Sequence, residues 1–159
     1  DKTAYTAVEG LYACGEATGG MHGADRIGGL SSANGIVFGR IAGASAAQAA
    51  QKEPETALKA DIALPHYGIA TTDAEHLTHG LKHTMSTYCM INRTETGLSE
   101  ALQQLESLQD KAMALSKPHA DDSEIAALAR LQSQIRLAQE MVKAMRKRTE
   151  SLGSHYRTD

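Results

Sequence analysis

The chain has 159 residues, 42% of them apolar, with one Phe and no Trp, so one domain or two small ones must build their core from Leu, Ile, Met and Ala. A formal charge of −3 argues against a general nucleic-acid binder. No apolar run approaches the roughly 20 residues of a membrane-spanning helix, and the opening residues lack the pattern of a secretory leader. The two cysteines, Cys14 and Cys89, form no CxxC motif and fit a reducing compartment; Cys14 reads as a small buried hydrophobe.

In chain order, the first 50 residues hold most of the glycine, which implies tight turns and close backbone approach. Leu11-Tyr12-Ala13-Cys14 reads as a short buried strand ended by Gly15. From Ala33 to about Gln51 the pattern is helical, with Ala33, Gly39, Ala42, Gly43 and Ala46 giving a small-residue face. Residues 52–72 read as a linker, broken by Pro54 and Pro65. Asp73 is placed to cap the next helix, whose apolar stripe is Leu77, Leu81, Met85, Tyr88 and Ile91. Leu98, Leu102, Leu105, Leu108 and Met113 continue it until Pro118. A last helix starts near Asp121, Asp122 or Ser123, presents Ile125, Leu128, Leu131, Ile135, Met141 and Met145, and ends at Gly153. The expected class is an α/β closing part, residues 1–51, followed by an all-α bundle of three antiparallel helices over residues 73–159.

The chemistry concentrates early. Residues 10–35 read as strand, carboxylate, glycine-rich loop, arginine, more glycine and a Ser31-Ser32 step into a helix. A strand ending in a loop that feeds a helix N-terminus is a common ligand site, because the free N–H groups there attract anions and electron-rich oxygens. Glu16 can accept hydrogen bonds from ribityl or ribose hydroxyls, or cap a neighbouring helix. Arg26 offers a planar fork for a carboxylate or phosphate, or a structural salt bridge to Asp25 or Glu16. His76, His79 and His83 have helix-compatible spacing but no evident carboxylate or cysteine partner, which favours a solvated face over a metal site. The basic run Lys143, Arg146, Lys147, Arg148 reads as a solvated face near a helix C-terminus.

The blocks GLYACGE, HGADR, IGGL and the run Val37-Phe38-Gly39-Arg40-Ile41-Ala42-Gly43 resemble, in order, the late flavin-binding motif of fumarate reductase and succinate dehydrogenase flavoproteins, GLYAAGE, HGANR, LGGN and FGR-x-AG. The TGGM spacer is most similar to the soluble fumarate reductase branch. Arg148 to Asp159 is similar to the family's terminal R-x-ESRGAH-x-R-x-D block, and Asn92-Arg93-Thr94 to its G-I-x-R segment. The resemblance implies a C-terminal piece of an FAD-dependent oxidoreductase acting on a dicarboxylate, by fumarate reduction or succinate oxidation, and incomplete on its own. It implies that Glu16 binds FAD through a ribityl hydroxyl and that Ser31 and Ser32 meet the flavin pyrimidine edge. Arg26 would clamp a substrate carboxylate, with His22 shaping the loop beside it.

Asp25 stands where the family usually has Asn, Leu30 where it often has Asn, and Leu152 where it has Arg. No GxGxxG follows an opening strand, so the FAD diphosphate site is expected from the rest of the flavoprotein, upstream or in a companion chain; the resemblance implies that the family's substrate histidine and proton-donating arginine come from there as well, and no catalytic residue is assigned within this chain. An iron–sulfur or cytochrome electron-transfer partner is implied, with a cytoplasmic or peripheral membrane location. The rival readings are a non-catalytic helical module that docks to a partner chain, and an L-aspartate oxidase-like enzyme.

Overall fold

The computed structural model describes residues 4–23, 25–52 and 66–159. Pro54 and Pro65 of the expected linker lie outside the described residues. Contacts divide the chain into two compact units, Asp1–Asp61 and Ile62–Asp159.

The first unit is built on α1 (Leu30–Ala50), a 21-residue helix rich in alanine, the best helix former. Its N-cap is Gly29 at φ +82°, a left-handed conformation that a Cβ would strain. Before it, Tyr5 and Tyr12 form an isolated antiparallel bridge, with their rings edge to face at 5.4 Å. The Ala13 amide donates to the Ala4 carbonyl at 2.9 Å, and Gly10 turns the chain between the two arms. The expected buried strand over 11–14 is therefore reduced to one bridge, and Leu11 is exposed. An apolar run becomes a strand only where a partner completes its ladder, and among the described residues only the short arm around Tyr5 pairs with it. A 3-10 turn at Gly15–Ala17 follows and packs on α1.

The second unit is a bundle of α2 (Thr71–Tyr88), α3 (Glu95–Leu115) and α4 (Asp122–Lys147). The buried positions alternate steps of three and four: Ala74, Leu77, Leu81 and Thr84 on α2; Leu98, Ala101, Leu105, Leu108 and Ala112 on α3; Leu128, Leu131, Ile135, Ala138 and Val142 on α4. That spacing keeps one seam facing the neighbours along each helix. Gly80 lies against Leu108 and Thr84 bonds Gln104, so α2 and α3 run antiparallel; Glu95 meets Arg146, so α3 and α4 do too. Met113 and Met141, expected in the stripe, are exposed, and so is Ile91. Ala112 and Val142, each next in sequence to one of the two methionines, hold the seam instead, together with Ala138.

Two short sheets close the corners. β1 (Tyr67–Gly68) pairs antiparallel with β3 (Lys117–Pro118), and β2 (Asn92–Arg93) pairs parallel with β4 (Tyr156–Arg157). Gly68 is obligatory: a Cβ there would lie 2.6 Å from the Glu124 carbonyl carbon. Beside it, fully buried Ile69 donates its amide to the Glu124 carbonyl at 3.2 Å. This tie starts α2 at Thr71, so Ala70 is the N-cap and Asp73 falls in the first turn rather than capping. There its charge still complements the helix dipole. On α4 the cap is Asp121, in a reciprocal capping box with Glu124.

Candidate functional site

Glu16, His22, Arg26, Ser31 and Ser32 all lie in the first unit. Glu16 sits in the 3-10 turn, exposed, with its carboxylate making no hydrogen bond among the described residues. Thr18 ties that turn shut, donating its amide and its hydroxyl to the Gly15 carbonyl at 3.0 and 2.7 Å. The turn packs on α1 where Gly15 faces Gly35, and it is the left-handed φ of +67° that favours glycine there, since a built Cβ would make only an ordinary 3.6 Å contact with the Gly35 Cα. His22 is half-buried and Arg26 exposed. Among the described residues Arg26 forms no ion pair; the Asp25 carboxylate instead accepts the Arg26 backbone N–H at 2.7 Å.

Ser31 and Ser32 occupy the second and third positions of α1, as the Ser31-Ser32 step predicts. The N-terminus is open: Gly29 has no side chain to cap it, and no acidic residue lies in the first turn. Its positive partial charge is therefore uncompensated, which suits an anionic or electron-rich group. The first unit thus offers an open helix end, an exposed carboxylate, two hydroxyls and a guanidinium outside any ion pair among the described residues.

Nothing in the sequence singles out Asn34. One turn inside α1, it donates its side-chain amide to the Met21 sulfur, while its Oδ1 is buried without a partner. No residue type at this place announces such a contact; only the approach of the loop to the helix creates it.

The second unit carries a different polar cluster, built on the terminal block and Arg93. The Arg157 guanidinium, almost fully buried, forks onto Asp159 at 2.8 and 2.9 Å and reaches Glu95 at 3.5 Å. Asp159 also accepts the Glu95 backbone N–H at 2.6 Å, and Glu95 accepts from Arg146 Nε at 2.7 Å. Hydrogen bonding from Arg157 holds the Asp159 carboxyl well below the usual carboxylate range. The hydrogen bond from Arg146 likewise lowers that of Glu95. Arg146 is thus a structural partner rather than part of a solvated face. Arg93 Nη1 donates to His155 Nδ1 at 2.9 Å. A guanidinium can only donate, so Nδ1 accepts and Nε2 carries the proton given to the Arg148 carbonyl at 2.9 Å. Those bonds to Arg148 end α4 at Lys147, well short of Gly153, which instead turns the chain between Leu152 and His155.

His76, His79 and His83 lie along α2, and no group of three or more potential metal ligands occurs among the described residues. Nor, among them, is any helix long and apolar enough to cross a membrane. Cys14 is half-buried and Cys89 buried, both free.

A family model described as fumarate reductase flavoprotein C-term matches residues 78–159. One described as FAD binding domain matches residues 1–32, the stretch that contains all five candidate residues. The chain is 32% identical to an uncharacterized FAD-dependent oxidoreductase of Methanocaldococcus jannaschii, over 97% of this chain and 29% of that protein. It is 30% identical to one of the subunits of the fumarate reductase (CoM/CoB) of Methanothermobacter marburgensis, over 100% of this chain and 30% of the relative. A 45-residue stretch, 28% of the chain, is 51% identical to the fumarate reductase (cytochrome) of Shewanella frigidimarina, covering 8% of it. The chain thus spans about 30% of the length of the first two relatives. It belongs to the fumarate reductase and succinate dehydrogenase flavoprotein family, as the C-terminal region together with part of the FAD-binding domain.

Proposed function

We propose that this chain supplies one wall of the flavin and substrate site of an FAD-dependent oxidoreductase that reduces fumarate or oxidises succinate. The carrying observation is the open N-terminus of α1, with Ser31 and Ser32 in its first turn and no side chain or acid closing it. FAD, when bound, supplies hydride transfer to or from the carbon–carbon bond of the dicarboxylate. Glu16 accepts a hydrogen bond from a ribityl hydroxyl. Ser31 and Ser32 hold the pyrimidine edge, where the helix dipole favours negative charge. Arg26 clamps a substrate carboxylate in two parallel bonds, and His22 shapes the loop. The proton donor and the diphosphate-binding segment come from the rest of the flavoprotein.

On this reading residues 1–51 close an FAD-binding α/β domain, 52–72 link it onward and 73–159 form the helical C-terminal domain. The rest of the flavoprotein covers the apolar side chains that α1 leaves in solvent, such as Ile36 at 75% exposure and Val37 at 53%. An iron–sulfur or cytochrome partner exchanges electrons with the flavin, in the cytoplasm or at the membrane surface.

Ser31→Pro tests the reading in the complete flavoprotein. Proline is tolerated in a first helical turn, so the change removes an N–H without breaking α1. Lower flavin content or a shifted flavin potential is expected. Wild-type potential with full flavin content would remove the assignment.

A further inference from the structure

Asn34 is the one described residue with a buried side-chain oxygen or nitrogen that has no hydrogen-bond partner. Its amide nitrogen meets a thioether, a weak acceptor. Buried polar groups are nearly always well paired, and replacing such a group by an apolar one of similar shape is often neutral or stabilising. A leucine in its place would satisfy the packing without leaving an orphan. The amide therefore stands at a place where it serves the fold poorly.

Its position suggests what it serves. In a helix side chains lean toward the N-terminus, so Asn34 reaches back over the first turn of α1, toward the loop. It meets that loop at Met21, the residue before His22 and five before Arg26. Met21 itself lines, with Thr18, Gly20 and Phe38, a hollow of about 410 Å³. Phe38 lies one turn beyond Asn34 on the same helix face. Met21 is thus tied to α1 through Asn34, while the stretch from Asp25 to Gly29 has few ties of its own among the described residues.

We infer that Asn34 is a positioning residue: by pinning Met21 it sets where the loop carries His22 and Arg26 relative to the N-terminus of α1. This rests on the reading of Arg26 as the carboxylate clamp. The substrate carboxylate must meet the guanidinium while the reacting carbons meet the flavin, and α1 is the element that fixes both ends. Asn34 converts the helix position into the loop position.

The test uses the complete flavoprotein, with fumarate as the probe. Asn34→Leu removes the amide at similar volume, and Met21→Leu removes the sulfur at similar volume. Both should raise the KM for fumarate on the order of tenfold, the size expected when a binding group is slightly misplaced. The kcat and flavin content should stay near wild type, and the Tm of Asn34→Leu should equal or exceed it. Unchanged KM in both variants overturns the inference. So does an Asn34→Leu protein that loses flavin or fails to fold, because the amide would then be holding the structure.

Arg26→Lys is measured alongside. A normal KM there removes the clamp reading, yet the strut is still judged by amide hydrogen exchange of the peptide covering residues 21–27. Faster exchange of that peptide in Asn34→Leu supports the strut, and unchanged exchange rejects it.

Discussion

The long helix of the first unit and the two longest helices of the second begin differently. α3 begins at Thr94, whose side chain accepts the Gly97 N–H at 3.1 Å, and α4 begins at Asp121, which accepts the Ser123 and Glu124 N–H groups at 2.9 Å. Both carry acids in the first turn. α1 begins at a glycine with no cap bond and no acid. Burial divides the same way: α3 and α4 each bury five residues, whereas α1, as long as α3, buries only Ala42. A helix that seals its own ends and buries its own seam is organised for the stability of its unit. One that leaves its positive end open and its apolar residues in solvent is organised for what meets it. The comparison separates helices that seal and bury themselves within their unit from one that does neither.

The largest effect that bears on this contrast is in the cores. Leu105→Ala or Leu131→Ala should cost about 2–5 kcal/mol of the second unit's stability, read from urea or thermal unfolding. Ile36→Ala, on the exposed face of α1, should stay within about 0.5 kcal/mol in the 159-residue chain. Equal costs would erase the distinction between the units.

A comparable effect is expected on turnover. In the complete flavoprotein, Arg26→Lys should lose on the order of 2–5 kcal/mol of transition-state binding through the lost bidentate fork, with flavin still bound. Steady-state kinetics on fumarate, beside the visible spectrum, separates the outcomes. Flavin loss as the main defect would mean that Arg26 serves the fold or the cofactor instead.

Caps give a sharper and smaller comparison. Asp121→Ala should destabilise the second unit by about 1 kcal/mol, the usual value of a lost N-cap. Ser32→Ala, whose hydroxyl makes no intramolecular bond among the described residues, should leave the Tm of the chain unchanged. It should alter flavin binding only in the complete protein. A stability loss in Ser32→Ala comparable to that of Asp121→Ala would show that α1 is capped after all.

The smallest effect is in pH. The folded-state carboxyls of Asp159 and Glu95 titrate below their ordinary values, because Arg157 and Arg146 bond their charged forms. Depressed carboxyls contribute stability that is present above the unfolded value, near pH 4, and lost as pH falls through the folded one. Acidification below about pH 4 should therefore loosen the β2–β4 corner, seen as faster amide exchange at Thr158, whose N–H bonds the Arg93 carbonyl at 3.0 Å. Both carboxylates are solvent-screened, so the change in global stability should be slight. Asp159→Asn should flatten that acid dependence; an unaltered profile would show that the fork contributes nothing.

Much of the bundle is legible in the sequence. Leu77, Leu81, Leu98, Leu105, Leu108, Leu128, Leu131 and Ile135 follow from spacing alone and are buried. Spacing fails where small residues carry the seam. Ala112 and Ala138 look neutral in a hydrophobic pattern, so the larger Met113 and Met141 draw the stripe off the true seam. The start of α1 is legible too, since glycines followed by serines mark a helix entrance. The strand over 11–14 is not, because pairing depends on a partner and not on the run itself.

The sequence by itself determined the order of elements, the family blocks and the residue types offered to a ligand, because these depend on local spacing and side-chain chemistry. Tertiary structure decided the rest. It set the start of α2 through the Ile69–Glu124 bond, the end of α4 through the bonds that His155 and Arg157 make to the Arg148 carbonyl, and the grip of Asn34 on Met21. Each of these pairs residues from different elements, and a contact between elements exists only once both have been packed into place.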